Sequence, residues 1–138
     1  MPERNPLDGE PRRDPGDRRT VLVVDDNSTI RLIVRRILED NGHTVFEAKD
    51  GLDGLEMFRR DPHRYHVVVM DIEMPRMNGI DAFWGMKAIR SDIPVIVASG
   101  SAPEKYEHRL PVAELAGFLC KPFELNELVG AVGRCAPR

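Results

Sequence analysis

Short apolar runs ending in polar residues alternate along this chain with segments whose apolar positions are spaced three and four apart. The first run, Val21-Leu22-Val23-Val24, is continuous and β-branched, and it stops at Asp25-Asp26. A run without polar alternation suits a strand covered on both faces, as in a parallel sheet. Residues 44–48 predict a second strand, and His66-Val67-Val68-Val69-Met70-Asp71 a third that again ends in an acid. Pro94-Val95-Ile96-Val97-Ala98 predicts the fourth and Gly117-Phe118-Leu119-Cys120 the fifth.

The intervening segments read as helices. Ile30, Ile33, Val34, Ile37 and Leu38 follow helical spacing up to Asp40, with Ser28 or Asn27 as the cap and Asn41-Gly42 as the stop. A second helix is expected over 51–60, with Leu55 and Phe58 inward, and a third over 80–90. In the third, Gly85 costs about 1 kcal/mol relative to Ala. Ser101-Ala102-Pro103-Glu104 has the form of a capping box opening a fourth helix that ends before Pro111. A last helix from Glu124 places Leu125, Leu128, Val129 and Val132 on one face. Strands alternating with helices predict an α/β fold, a doubly wound five-stranded parallel sheet joined by right-handed crossovers. In such sheets ligands bind beyond the carboxyl ends of the strands, where strand order reverses.

Composition narrows the function. The chain has 138 residues, 41% of them apolar, and a net charge of −3. That fits one domain with a proper core, without the basic stripe a nucleic-acid binder needs. No apolar run approaches the roughly 18 residues of a membrane span, and the charged, proline-rich start is no signal peptide. Cys120 and Cys135 lack metal-ligand spacing and read as free thiols of a reducing cytosol. Residues 1–19 hold four prolines, two glycines and Leu7 as the sole internal apolar residue, so a disordered tail or linker is expected. The domain is assigned to 20–135, with 136–138 as the C-terminal end.

Candidate chemistry gathers at the predicted strand ends. Asp25 and Asp26 follow the first strand, Asp71 the third, Ser99 the fourth and Lys121 the fifth. The fold would bring three carboxylates, a hydroxyl and an ammonium to one sheet edge. Clustered carboxylates repel unless a cation joins them, and a hard ion with oxygen ligands, Mg²⁺ above all, resolves this. His43, His63, His66 and His108 have no ligand spacing, so structural or surface roles are expected. Trp84 is expected on the solvent side of the third helix.

The ordered motifs Val-Val-Asp25-Asp26-Asn27, Val-Val-Met-Asp71-Ile-Glu-Met-Pro75 with Asn78-Gly79, Ile-Val-Ala-Ser99-Gly100, and Lys121-Pro122-Phe123 resemble the receiver domain of two-component response regulators. The resemblance covers residue 20 to about 134 and implies a flavodoxin-like (βα)5 receiver fold. It implies that Asp71 accepts phosphoryl from a histidine kinase or histidine phosphotransfer protein. Asp26 would bind Mg²⁺ directly, Asp25 chiefly through water, and the backbone carbonyl of Glu73 would complete the protein ligands alongside Asp71. Lys121 would pair with Asp71 and then with phosphoryl oxygens, through a cis Lys-Pro peptide. Ser99 would move to the acyl phosphate, and Phe118 would be the aromatic switch that follows it. The output would be altered contact with a downstream protein, on the surface of the fourth helix, fifth strand and fifth helix. The protein would act in the cytoplasm as a monomer or weak dimer, catalysing only its own phosphorylation and dephosphorylation.

Departures from the family pattern are Ser99 for the commoner Thr, Gly100 where Ala is usual, and Pro111, which should shorten the fourth helix. A stand-alone regulator is expected, with an excised receiver of a hybrid histidine kinase or larger regulator as the alternative. A distant alternative is an Asp-nucleophile phosphatase of haloacid-dehalogenase type. Its DxDx[TV] loop is replaced here by Asp71-Ile-Glu-Met-Pro, and no cap insertion is present.

Overall fold

In the computed structural model, which describes residues 18–135, five strands and four α-helices alternate for most of the chain. The order is β1 (Thr20–Val24), α1 (Ser28–Asp40), β2 (Thr44–Ala48), α2 (Gly51–Arg60), β3 (Val67–Asp71) and α3 (Gly79–Ile89), followed by β4 (Val95–Ser99), β5 (Gly117–Cys120) and α4 (Leu125–Arg134). All strands are parallel in one sheet of order β2-β1-β3-β4-β5. The expected tail falls mostly outside the described residues.

The continuous apolar runs are buried on both faces, as their lack of alternation predicted. Leu22, Val24, Val68 and Met70 pack beneath α2 and α3 with Phe58, Phe83 and Met86. Val21, Val23, Val67 and Val69 face the opposite layer, with Val34 and Leu38 of α1 and Leu128, Ala131 and Val132 of α4. The expected stripes were too wide at two points. Ile33 is half exposed and Leu125 more so, because Ile33 flanks the buried line of α1 and Leu125 sits in the first turn of α4, at the rim of the sheet.

The caps follow local chemistry. Asn27, not Ser28, caps α1, its Oδ1 accepting from the amides of Thr29 and Ile30. Gly42 follows the helix at φ 89°, where a side chain would be strained. Glu124 opens α4 in a reciprocal capping box with Glu127.

The expected fourth helix does not form. Residues between β4 and β5 instead make two short 3₁₀ turns, Pro103–Tyr106 and Val112–Glu114. The Ser101 box fails because the Ser101 amide donates to Ser99 Oγ at 3.0 Å, and Ala102 at the turn's cap has no side-chain acceptor. The Arg109 and Leu110 amides both return to the Tyr106 carbonyl, and Pro111, lacking an amide proton, stops propagation. The stretch left is too short to offset the cost of helix nucleation. Tyr106 and Leu110 are nonetheless buried against the α2–α3 side of the sheet.

Two histidines are structural, as expected. His43 Nδ1 accepts from the Arg19 amide at 3.0 Å and His66 Nδ1 from the Thr20 amide at 2.7 Å. The buried Arg19 guanidinium donates to the carbonyls of Cys135 (2.8 Å) and Gly133 (3.0 Å), closing the C-terminal end of α4 onto the start of β1. Hydrogen bonds to a charged donor contribute roughly 1.5–3 kcal/mol. Arg19→Met should therefore lower the urea midpoint by a corresponding amount without altering the slope of the transition; an unchanged midpoint would show that these bonds add nothing net.

Candidate functional site

Strand order reverses between β1 and β3, and the chain delivers its carboxylates to the crevice there. Asp25 follows β1 and is buried, and its Oδ1 accepts from the Asn27 amide at 2.9 Å. Asp26 beside it is exposed. Asp71 is the last residue of β3, in register with Ala98, and its Oδ1 accepts from the Ile72 amide at 2.8 Å. Asp25, Asp26 and Asp71 each present an oxygen within 4.8 Å of the other two.

Lys121 completes this group. Its amide donates to the Ser99 carbonyl at 2.7 Å, prolonging the β4–β5 ladder, and the Lys121–Pro122 peptide is cis, as the resemblance implied. Its Nζ lies 3.1 Å from Asp25 Oδ2 and 3.5 Å from Asp71 Oδ2, so it spans both acids. Burial, opposed by the Lys121 charge but reinforced by that of Asp25, pushes the Asp71 carboxyl above its ordinary range. For Lys121, burial acts against the charge, but the hydrogen bond to Asp25 and the two carboxylates outweigh it, and its pKa rises. The Lys121 charge offsets part of the rise at Asp71, while the carboxylates favour the charged ammonium.

The donor set tests the expected ion. All three side chains offer hard oxygens, two of them beside backbone that fixes their orientation, and among the described residues no sulfur or imidazole joins them. Such a set suits Mg²⁺ or Ca²⁺ rather than a softer metal.

The loop after β3 is held by contacts that sequence reading did not supply. Gly79 donates its amide to the Ile72 carbonyl at 2.7 Å, and a Cβ there would lie 2.2 Å from the Asp71 carbonyl oxygen. Gly51 donates to the Met77 carbonyl, and a Cβ would lie 2.0 Å from that oxygen. Between them Arg76 adopts φ 66°, and its guanidinium grips Asp50 through Nε (2.7 Å) and Nη2 (3.2 Å). The Arg76 hydrogen bond holds the Asp50 carboxyl below its ordinary value. That pairing therefore stabilises the fold above the ordinary Asp pKa of about 3.9 and is lost as pH falls through the depressed value. Nothing in the sequence marks Arg76 as the partner of Asp50, which caps α2.

Ser99, fully buried, reaches the same edge, but its Oγ is turned to Tyr106 Oη at 3.2 Å and to the Ser101 amide. The Glu73 side chain is exposed and meets Lys105 at 3.4 Å. Phe118 is half-buried, its ring centroid 6.5 Å from that of Tyr106.

Residues 21–133 match the response regulator receiver domain pattern, nearly the whole described chain. The chain belongs to that family. Among curated relatives, the receiver is 35% identical over 113 residues to the sensor kinase CckA of Brucella abortus, spanning 82% of this chain and 12% of that protein. It spans about half the length of the response regulators it matches, 53% for BvgA of Bordetella pertussis at 31% identity. Among solved structures, a response regulator receiver domain protein from Clostridium thermocellum superposes with a TM-score of 0.76 at 28% identity, covering 82% of this chain and 90% of that one. Response regulator TrrA from Thermotoga maritima, solved in complex with Mg²⁺ and BeF, gives 0.73 at 26% identity over 82% and 95%. These matches place the receiver in a family of signalling switches and leave the dehalogenase-type alternative unsupported. Among the described residues no helix is long and apolar enough to cross a membrane.

Gly79→Ala forces the β3–α3 loop away from the Asp71 carbonyl. The expected result is a loss of roughly 1–3 kcal/mol in stability, as for other overpacked sites, together with weaker Mg²⁺ binding by titration calorimetry. Unchanged Mg²⁺ affinity would mean that the loop's position does not matter to the acids.

Proposed function

We propose that Asp71 is a phosphoacceptor, taking a phosphoryl group from a phosphohistidine of a kinase or phosphotransfer protein in a Mg²⁺-dependent step. The observation that carries this reading is the placement of Asp71 at the end of β3, within 4.8 Å of two further carboxylates and 3.5 Å from the Lys121 ammonium. Asp25, Asp26, Asp71 and the Glu73 carbonyl would hold the ion, which when bound neutralises phosphoryl and carboxylate charge at once.

Within that frame each side chain has a task. Asp71 attacks phosphorus with a carboxylate oxygen as the P–N bond to the donor imidazole breaks, and the product is an acyl phosphate. Phosphoryl transfer asks the protein mainly for alignment and charge stabilisation. The Ile72 amide fixes one Asp71 oxygen and leaves the other facing Lys121. Lys121, now shared with Asp25, follows the charge onto the phosphoryl oxygens. The modified residue carries roughly two negative charges in place of one, and acceptor oxygens that Ser99 can meet. Hydrolysis of the acyl phosphate by water returns Asp71 and releases phosphate, resetting the switch without an external enzyme.

A donor must approach over this edge of the sheet. Ile30, Ile33, Pro122, Phe123 and Leu125 line a groove of about 420 Å³ that runs to Lys121. An apolar groove continuous with the reactive group suits a protein donor better than a small phosphorylated metabolite. The product state then acts by changing which downstream protein the domain contacts.

Intact mass after incubation with acetyl phosphate tests the reading. We expect one phosphate adduct in the wild type that requires Mg²⁺, none in Asp71→Asn, and an adduct formed at least tenfold more slowly in Lys121→Ala. An adduct that persists in Asp71→Asn would move the acceptor elsewhere. A wild type that binds Mg²⁺ yet gains no phosphate from either acetyl phosphate or a phosphohistidine protein would make the domain a binding module.

A further inference from the structure

We infer that Tyr106 is the residue that reads the state of Ser99, so that phosphorylation is transmitted to the β4–β5 segment through the hydroxyl pair these two side chains form. The inference rests on the phosphoacceptor reading of Asp71 and goes beyond it, because it assigns the coupling to a residue outside the motifs that suggested that reading.

The contact is well defined. Ser99 Oγ has no exposed surface and Tyr106 is almost completely buried, and their oxygens lie 3.2 Å apart. Ser99 Oγ also accepts from the Ser101 amide at 3.0 Å. A serine hydroxyl has one proton and two lone pairs. With one lone pair on the Ser101 amide and one bond to Tyr106, in which either oxygen can be the donor, two of its three hydrogen-bonding capacities are taken up within the segment. If Ser99 donates to a phosphoryl oxygen on Asp71, it must turn from Tyr106, whose hydroxyl then stands in an apolar layer with Leu110, Phe83 and Phe118 nearby. A buried polar group that loses its partner is disfavoured by more than the bond itself contributed. Tyr106 is therefore pressed to leave its seat. Phe118 has no hydroxyl to exchange with Ser99, so any part it takes is steric. Its ring contacts Tyr106 and follows it.

The segment that Tyr106 anchors is built to respond. It has no α-helix, only two 3₁₀ turns, and its buried anchors are Tyr106 and Leu110. Its remaining ties are light: Trp84 Nε1 to the Arg109 carbonyl at 3.1 Å, and Lys105 Nζ to Glu73 and Ser101 at 3.4 Å each. Loosening one anchor rearranges the exposed Glu104, Glu107, His108 and Arg109 that surround it. The absence of an α-helix between β4 and β5 is then functional, because a short segment with one polar latch shifts at smaller cost than a packed helix.

Trp84 is the chain's single tryptophan and bonds this segment directly, so its emission reports on it. Hydrogen exchange of the 103–114 amides supplies a second readout. Without phosphate, Tyr106→Phe and Ser99→Ala should each speed exchange roughly two- to tenfold, the span of one net hydrogen bond, and the double variant should add little to either. With Mg²⁺ and acetyl phosphate, the wild type should show faster exchange and altered Trp84 emission. Tyr106→Phe should still gain the adduct by mass but show no further change in either signal. A full phosphorylation response in Tyr106→Phe, or additive effects in the double variant, would overturn the inference. Absence of an adduct in the wild type would instead remove the reading on which it rests, while the phosphate-free cycle still decides whether the latch exists.

Discussion

Mutual repulsion among three carboxylates governs this molecule. Asp25, Asp26 and Asp71 bring oxygens within 4.8 Å of one another at the edge of a sheet that is otherwise almost wholly apolar. Positive charge relieves such a cluster, and Lys121 supplies one unit by reaching both Asp25 and Asp71. A divalent ion would supply the rest, and a phosphoryl group would then add negative charge and oxygens to a centre already held in balance. The fold is arranged to impose the repulsion: parallel strands end together, and the order β2-β1-β3 places the first and third side by side. Fixing the acids takes further contacts, from the amides of Asn27 and Ile72 to the two glycines that let the β3–α3 loop fold close.

Much of this is legible in the chain because strong local signals agree with the global fold. Continuous β-branched runs such as Val21–Val24 and Val67–Val69 have one stable use, a strand covered on both faces, and each ends in the residue that carries chemistry. The site residues were legible for the same reason, since strand ends in a parallel sheet share one edge. Register fixes the rest: Asp71 aligns with Ala98, and Ser99 with Cys120, one residue before Lys121.

What escaped sequence reading depends on contacts between distant residues. The capping-box pattern at Ser101–Glu104 is a local signal, but the Ser101 amide had a better acceptor in Ser99 Oγ, and Pro111 left too short a stretch for a helix. Tyr106 looked like a helical residue among charged neighbours, yet its ring fills core space and its hydroxyl finds Ser99. The Asp50–Arg76 pair links residues 26 apart through a backbone with φ 66°, which no pattern of residue types announces. Ile33 and Leu125 carried the apolar spacing of a buried face but flank the groove beside Lys121 instead. An apolar residue at the rim and one in the core have the same periodicity, and only the extent of the covering layer separates them.

The central claim is that Asp71 becomes an acyl phosphate. Borohydride reduces an aspartyl phosphate to homoserine and leaves free carboxylates and phosphoesters untouched, so peptide mapping after phosphorylation and reduction locates the bond directly. Homoserine at position 71, formed only when Mg²⁺ and donor are both present, is the predicted result. Conversion at Asp25 or Asp26, or a phosphate that survives reduction on a hydroxyl such as that of Ser99, would contradict it.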